Sequence, residues 1–314
     1  MLQQTQVDNV VPYFRRFLKR FPSLQSLARA KEESVLSLWT GLGYYSRARN
    51  LRKAAGIIRK DLGGRFPRTY KDLLSLPGVG PYTAGAVLSI AFDLPAPIFD
   101  GNVRRVLSRF HGSHDEKALK EIAQKLVLDA SQKGIRPSVF NQAIMELGAL
   151  ICLPQNPNCR ACPLSAACSV KRTGLQSSFP RSAKRQTAVQ KFYALAILKS
   201  AGQKKFLVVR RPGSQRWLKD LWEFPMVEIA PPLTGFAALS ARFRKETGVS
   251  ANIHRALGEI RHNITRHQLK ISVFSGTLGG FTGRDPDSAR LATLSQIGRL
   301  SASSMLRKSL ALYP

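Results

Sequence analysis

The hydrophobic period of this chain changes across residues 171–190, and no single layer of packed elements accommodates both halves. Up to about residue 170, apolar residues recur at three- and four-residue steps, the pattern of helices with one buried face. The periodicity predicts helices over 10–20, 32–39, 44–62, 68–75, 81–92, 101–110, 115–132 and 138–151. Gly and Pro mark the breaks, at Phe21-Pro22, Gly41-Leu42-Gly43, Gly63-Gly64, Pro77-Gly78 and Pro95-Ala96-Pro97. The stretch "KRTGLQSSFPRSAKRQTAVQ" (171–190) is polar, basic and aperiodic, as inter-domain linkers are. Beyond it, β-branched and aromatic runs at 192–200, 205–211, 222–229 and 269–278 predict strands, with one helix near 234–247. The expected organisation is an all-α domain over 1–170, a linker over 171–190 and a smaller α+β domain over 191–314.

Charge narrows the partner. Forty-nine Lys and Arg against 19 Asp and Glu give a formal charge of +30, which calls for a polyanion. The cations are spread over many predicted elements rather than gathered on one amphipathic helix. No apolar run approaches the roughly 20 residues that span a bilayer. Nucleic acid is therefore expected, and a membrane is not. All four cysteines fall between Cys152 and Cys168. A disulfide framework would scatter its cysteines to close long loops, so the clustering points to metal in a reducing compartment.

Three stretches carry chemistry. In "LPGVGPYTAGAVLSIAF" (76–92), Gly78 and Gly80 make a tight turn and Pro81 opens the next helix, where its missing N–H costs nothing. This is a helix-hairpin-helix over 70–92. Its glycines let backbone approach a ligand, and the exposed N–H groups at the helix start suit a phosphate. Such a motif grips a DNA backbone without reading sequence; an ordinary αα-turn also uses Gly and Pro. The second is Cys152-x6-Cys159-x2-Cys162-x5-Cys168. Zinc sites more often present paired Cys-x2-Cys knuckles, whereas this uneven spacing suits a four-cysteine iron–sulfur cubane; both remain open on spacing alone. The third is the beginning, "MLQQTQVDNVVPYFRRF". Val7, Val10, Val11, Phe14, Phe17, Leu18 and Phe21 read as a core-facing helix, with no capping residue or cleavable secretion signal ahead of it.

Together the hairpin, "FDGNVRRVLSRF" (99–110) and the cysteine loop (152–168) resemble the endonuclease III superfamily of DNA glycosylases. Within it, "MLQQTQV", "WTGLGYYSRARNL" (39–51) and "FNQAIMELGALIC" (140–152) resemble the MutY-type adenine glycosylases, and the appended α+β domain extends the resemblance over the whole chain. The resemblance implies a [4Fe-4S] cluster on Cys152, Cys159, Cys162 and Cys168. It also implies a substrate of double-stranded DNA in which adenine is mispaired with 8-oxoguanine or guanine. The expected reaction is base flipping and hydrolysis of the N-glycosidic bond by a monomer, DNA-associated in the cytoplasm of a bacterium.

Residue roles carry over on the same motifs. Asp100 matches the catalytic aspartate that steadies the oxocarbenium-like sugar, and it is also a good N-cap for the helix after it. Asn102 is expected to hydrogen-bond in the same site. Tyr82 stands where lyase-competent relatives carry a Schiff-base lysine; a phenol forms no Schiff base, which implies base removal without efficient strand cleavage. Gln3, Gln4, Thr5 and Tyr44 resemble residues that wedge into the duplex and cradle the lesion, Leu42 is expected among the DNA-binding residues, and Gln142 matches the contact to the flipped adenine.

The α+β domain resembles the family's Nudix-like module. Hydrolysis in that fold needs a Glu-rich helix holding magnesium. Here the matching stretch, "ARFRKETGV" (241–249), offers Glu246 amid Arg242, Arg244 and Lys245, so it is expected to bind rather than hydrolyse. Its lesion-checking loop reads Ile264-Thr265-Arg266, where many relatives have Phe-Ser-His; Thr265 alone keeps the hydroxyl.

Adenine removal also needs an acid to protonate the leaving base. In the family that acid is a glutamate two residues before the methionine matching Met1, a position outside residues 1–314. The polypeptide as written is therefore expected not to excise. The alternatives are a catalytically dead lesion-binding protein and another endonuclease III-type glycosylase; Tyr82 and the α+β domain weigh against the latter.

Overall fold

In the computed structural model, the described residues are all except 2–4, 6, 182–186, 203, 213, 215, 216, 231–234 and 282–287. The helices ahead of the sheet are α1 (Val7–Arg20), α2 (Leu24–Ala28), α3 (Glu32–Trp39), α4 (Ser46–Asp61), α5 (Tyr70–Leu74), α6 (Pro81–Ala86), α7 (Gly101–His111), α8 (Glu116–Gln132), α9 (Pro137–Glu146) and α10 (Ser169–Thr173). The sheet strands are β1 (Val189–Ser200), β2 (Phe206–Arg210), β3 (Trp222–Glu223), β4 (Met226–Glu228), β5 (Val249–Ile264), β6 (His267–Phe281) and β7 (Ala289–Ala292). Three further helices lie among them: α11 (Phe236–Thr247), α12 (Leu294–Gly298) and α13 (Ser304–Leu310). The all-α part followed by an α+β part is the architecture that the change of period implies.

The chain gathers into two compact units with two cuts, one at 184/185, inside 171–190, and one at 52/53, which the sequence did not lead one to expect. Met1–Arg52 belongs with Arg185–Pro314, and Lys53–Lys184 forms the other unit. Long-range polar contacts account for the first grouping. The Tyr45 hydroxyl donates to the Ala302 carbonyl at 3.3 Å, and Arg49 bonds the Lys219 carbonyl and the Asp220 carboxylate. Residues 171–179 are likewise not a free linker. They begin in α10, and the Gln176 and Phe179 carbonyls both accept from Arg109.

In α1 the periodicity is right but only one face is buried. Val10 and Phe17 are covered, and Phe17 meets the rings of Phe21 and Trp39 at 5.2 and 6.0 Å. Val7, Val11, Phe14 and Leu18, expected in the core, are exposed. A helix of this width needs packing on two sides to bury every apolar position.

In the second unit, α7, α8 and α9 pack around Val103, Leu107, Leu119 and Ala123, with Ile144 and Met145 against them. α6 runs on into a π-helical turn, Val87–Ala91, and α9 into another, Leu147–Ile151. Each wider turn brings chain close beside it at a glycine. A Cβ on Gly85 would strike the Pro97 carbonyl, and one on Gly148 would lie 2.7 Å from Asn102 Cβ.

The seven strands form one mixed sheet in the order β3-β2-β1-β6-β5, with β4 also on β1 and β7 on β2. β1 runs parallel to β6 in unbroken register from Val189↔His267 to Ser200↔Leu278. Alternate side chains of β1 point to opposite faces. Leu195 and Ile197 join a core with Ile297, Met305 and Leu306 from the α12–α13 side. Ala194, Ala196 and Leu198 join one with Leu239 and Phe243 of α11. The single strand expected over 222–229 is two, separated at Phe224-Pro225, because proline supplies no N–H to a ladder. Strand β5 has no counterpart in the periodicity: register shifts in its pairing with β6, at Ser250/Ala251, Ile253/Arg255 and Ala256/Gly258, interrupt the two-residue alternation of its apolar residues.

Candidate active site and cysteine loop

The hairpin forms as its residues dictate. Thr69 caps α5 by accepting from the Asp72 N–H at 3.1 Å. Gly78 takes a left-handed φ of 78°, Gly80 is extended at the N-cap of α6, and Pro81 opens that helix. A Cβ on Gly80 would meet nothing within 4 Å, so the turn surface there is open. Tyr82 follows one residue later, about a third exposed. Burial, and secondly the nearby Asp100 carboxylate, hold its phenol proton more tightly than usual. The Asp100 carboxylate, on the segment after the hairpin, is thus near enough to act on Tyr82 electrostatically.

Asp100 is the N-cap of α7; its Oδ1 accepts from the Val103 N–H at 2.7 Å. A carboxylate at a helix start is favoured by the positive end of the helix dipole. The segment leading to it is held by Asn141 of α9, a 2% exposed residue that sequence reasoning passed over for its neighbour. Asn141 Nδ2 donates to the Ala96 carbonyl at 2.8 Å, and its Oδ1 accepts from the Ile98 N–H at 3.4 Å. Asn102 is engaged with protein: its Oδ1 accepts from Arg105 at 2.8 Å. Gln142 lies exposed on α9, its amide donating to the Ser138 carbonyl at 3.0 Å.

The helix that Asp100 starts is bound to the cysteine loop by two buried arginines. Arg105 donates to the Cys152 carbonyl at 2.7 Å and the Gly148 carbonyl at 2.6 Å. Arg109, 4% exposed, donates to the Leu153 carbonyl at 2.7 Å, to Pro154 at 3.0 Å and to Cys152 Sγ at 3.4 Å. Cys168 Sγ lies 3.5 Å from the Arg109 carbonyl. Four cysteines, all half-buried, line one small cavity with Arg109, Pro157 and Lys171. Burial raises the Cys162 thiol, and the other three cysteines push it the same way against a backbone hydrogen bond at Leu164. Buried arginines left no period in the sequence; the available signal was Arg105 and Arg109 spaced four apart on one helix ahead of a cysteine cluster.

The remaining expected residues belong to the other unit. Tyr44 stands 50% exposed in a left-handed conformation, φ 47°, between Gly43 and α4, with the Arg47 guanidinium 5.3 Å from its ring centre. Leu42, expected at the DNA surface, is instead 8% exposed, so Tyr44 is what this loop presents. Thr5 is half-buried, and Gln3 and Gln4 lie outside the described residues. Thr265 sits at the exposed tip of the β5–β6 hairpin, with φ 53° and its hydroxyl donating to the Ile264 carbonyl at 2.7 Å. A β-branched residue at positive φ is strained. Glu246 of α11 pairs with Arg242 at 2.7 Å. Among the described residues no group of three or more His, Cys, Asp or Glu is arranged to hold one metal ion, and no helix is long and apolar enough to cross a membrane.

A family model described as HhH-GPD superfamily base excision DNA repair protein matches residues 1–130. The chain is 34% identical over 368 residues to the adenine DNA glycosylase of Rattus norvegicus, covering 100% of this chain and 70% of that protein. It is 39% identical over 227 residues to the adenine DNA glycosylase of Buchnera aphidicola subsp. Schizaphis graminum, covering 72% of this chain and 65% of the relative. It thus spans about two thirds of the length of these curated relatives. Among solved structures, a thermostable thymine-DNA glycosylase aligns with a TM-score of 0.50 and 31% identity, over 55% of this chain and 80% of that one.

Proposed function

The chain belongs to the adenine DNA glycosylase family of the HhH-GPD superfamily, and on that premise we propose that it removes adenine mispaired with 8-oxoguanine or guanine by hydrolysing the N-glycosidic bond. The observation that carries this reading is Asp100, fixed at the start of α7 in electrostatic reach of Tyr82 on the adjacent hairpin. As the bond to adenine breaks, positive charge develops on the sugar, and a preorganised carboxylate stabilises it most in that state. Tyr82 offers no amine for a Schiff base, so the sugar leaves the site without strand cleavage. Tyr44, exposed and aromatic, is suited to fill the stack when the adenine is extruded. Gly78 and Gly80, with the open α6 start, suit a backbone phosphate. The resemblance puts the acid that protonates adenine two residues ahead of Met1, so the test takes in that stretch.

The four cysteines are proposed to hold a [4Fe-4S] cluster. One zinc ion would draw its thiolates to about 3.8 Å apart, from Zn–S bonds of about 2.3 Å in a tetrahedron. The four thiols line one cavity, and their uneven x6, x2, x5 spacing suits a cubane better than paired Cys-x2-Cys zinc knuckles. When bound, the cluster would cross-link the loop that Arg105 and Arg109 fasten to α7. The α+β domain is proposed to be a Nudix-like module that binds the lesion side and does not hydrolyse nucleotides, since its helix carboxylate is already paired with Arg242.

Single-turnover excision on an 8-oxoguanine:adenine duplex tests the reading, using the chain extended upstream. Asp100→Asn should abolish excision and keep duplex binding; an extended protein without excision would overturn the reading. Iron analysis should give about four irons per chain, and zinc in their place would overturn the cluster assignment.

A further inference from the structure

The loop that presents Tyr44 is anchored from behind. Tyr44 and Tyr45 face opposite ways: the first is 50% exposed and the second 7%. Tyr45 donates its hydroxyl to the Ala302 carbonyl, just ahead of α13. Four residues on, along the same side of α4, the largely buried Arg49 side chain pairs with Glu32 at 2.8 Å. Its other arm bonds the Lys219 carbonyl and reaches Asp220 Oδ2 at 3.5 Å.

Both ends of this clamp are loops with residues held in sparsely populated conformations. Tyr44 has φ 47°; Leu218 and Asp220 have φ 54° and 57°. Such residues persist only where surroundings over-determine them, and they cluster at ligand-gripping sites. Inside the loop, Trp39 Nε1 donates to the Gly43 carbonyl at 3.1 Å, which fixes the turn but not its placement against the α+β domain. Tyr45 and Arg49 supply that placement.

We infer that Arg49, with Tyr45, is a positioning residue that holds the Tyr44 loop in register with the 217–221 loop and the α13 approach of the α+β domain, so that both engage a lesion-bearing duplex as one surface. This rests on the proposed reading that the chain recognises 8-oxoguanine:adenine DNA. Arg49 is already paired with Glu32 and Asp220, so its task is geometric rather than a phosphate contact. Selectivity, more than general affinity, should depend on it.

The test measures binding of residues 1–314 to an 8-oxoguanine:adenine duplex and to an undamaged duplex of the same sequence, by fluorescence anisotropy at fixed salt. Arg49→Gln should lower the ratio of the two affinities several-fold, up to about thirtyfold. Undamaged-duplex binding, governed by phosphate contacts, should stay near wild type. Arg49→Lys, which keeps the Glu32 pair but loses the fork, should fall between. Tyr45→Phe, which removes one oxygen, should lower the ratio in the same direction without lowering the melting temperature by more than a few degrees. An unchanged ratio in both Arg49→Gln and Tyr45→Phe would overturn the inference, as would parallel loss on both duplexes. A wild-type chain that does not distinguish the duplexes would overturn the recognition reading instead.

Discussion

Asp100 and Glu246 are both helix carboxylates in arginine-rich sequence, and they end in opposite states. In α11, Arg242 turns to Glu246 one helical turn away and neutralises it at 2.7 Å. In α7, the arginines turn elsewhere: Arg104 donates to the Arg181 carbonyl, Arg105 to the Cys152 carbonyl and Arg109 to the Leu153 carbonyl. Among the described residues no ion pair holds Asp100. The same residue types thus give a carboxylate paired with an arginine in one domain and one engaged in a helix cap in the other, and the destination of the guanidinium decides which.

The sharpest way to break this contrast is to remove the charge from each. Asp100→Asn should cut the single-turnover excision rate of the upstream-extended protein by at least about a hundredfold, the scale of losing one preorganised electrostatic group. Adding bulk behind the site comes next. Gly148→Ala places a Cβ 2.7 Å from Asn102 Cβ and 3.0 Å from its carbonyl oxygen, so α7 must move. Chemical denaturation should show a loss of about 1–3 kcal/mol, with excision slowed at the same time; unchanged stability would mean that the π-turn gives way cheaply.

Two buried groups of the α+β domain allow a pH test. Burial raises Glu223 to about 7, with the nearby Arg211 pulling it down. Its folded-state affinity for a proton exceeds the unfolded one, so its contribution is full below about 4.5 and is lost as pH rises through about 7. Burial and the Lys308 charge lower His262 to about 4, so its contribution is full above about 6.5 and lost as pH falls towards 4. The two slopes oppose each other between about pH 4.5 and 6.5. Stability should be nearly flat there in the wild type, rise with pH in Glu223→Gln and fall in His262→Gln, by at most about 1.4 kcal/mol per pH unit. Flat profiles in both variants would refute the assignment. The smallest effect is expected at the arginine-paired carboxylate: Glu246→Gln should cost only about 0.3–0.5 kcal/mol in the same denaturation assay, as for exposed helix pairs.

Legibility in the sequence tracks how far local physics controls each element. Helices α3, α7 and α8 were readable almost to the residue, because an apolar face is a local fact, as are the capping Asp100 and Asp115 of α7 and α8. Asp100 was readable as the cap of α7. Strand β5 was not, because bulges in its pairing with β6 break the alternation of its apolar residues, and neither were α12 and α13, which are short and owe their place to the sheet beneath. Arg105, Arg109 and Asn141 escaped for a different reason. Buried polar side chains are satisfied by carbonyls far away in sequence, and a linear pattern does not show which ones. The grouping of residues 1–52 with 185–314 was hidden likewise, since it depends on contacts such as Tyr45 to Ala302.

That grouping sets an order of assembly. Residues 53–184 are contiguous and can close on themselves as soon as they leave the ribosome. Residues 1–52 emerge before them, yet their partners include Ala302. At about 5–20 residues per second, they wait roughly 13–50 s for Ala302, 250 residues on, to be made. During that interval α1 and α3 can already meet through Phe17 and Trp39, but Tyr45 and Arg49 lack the carbonyls they bond in the finished fold.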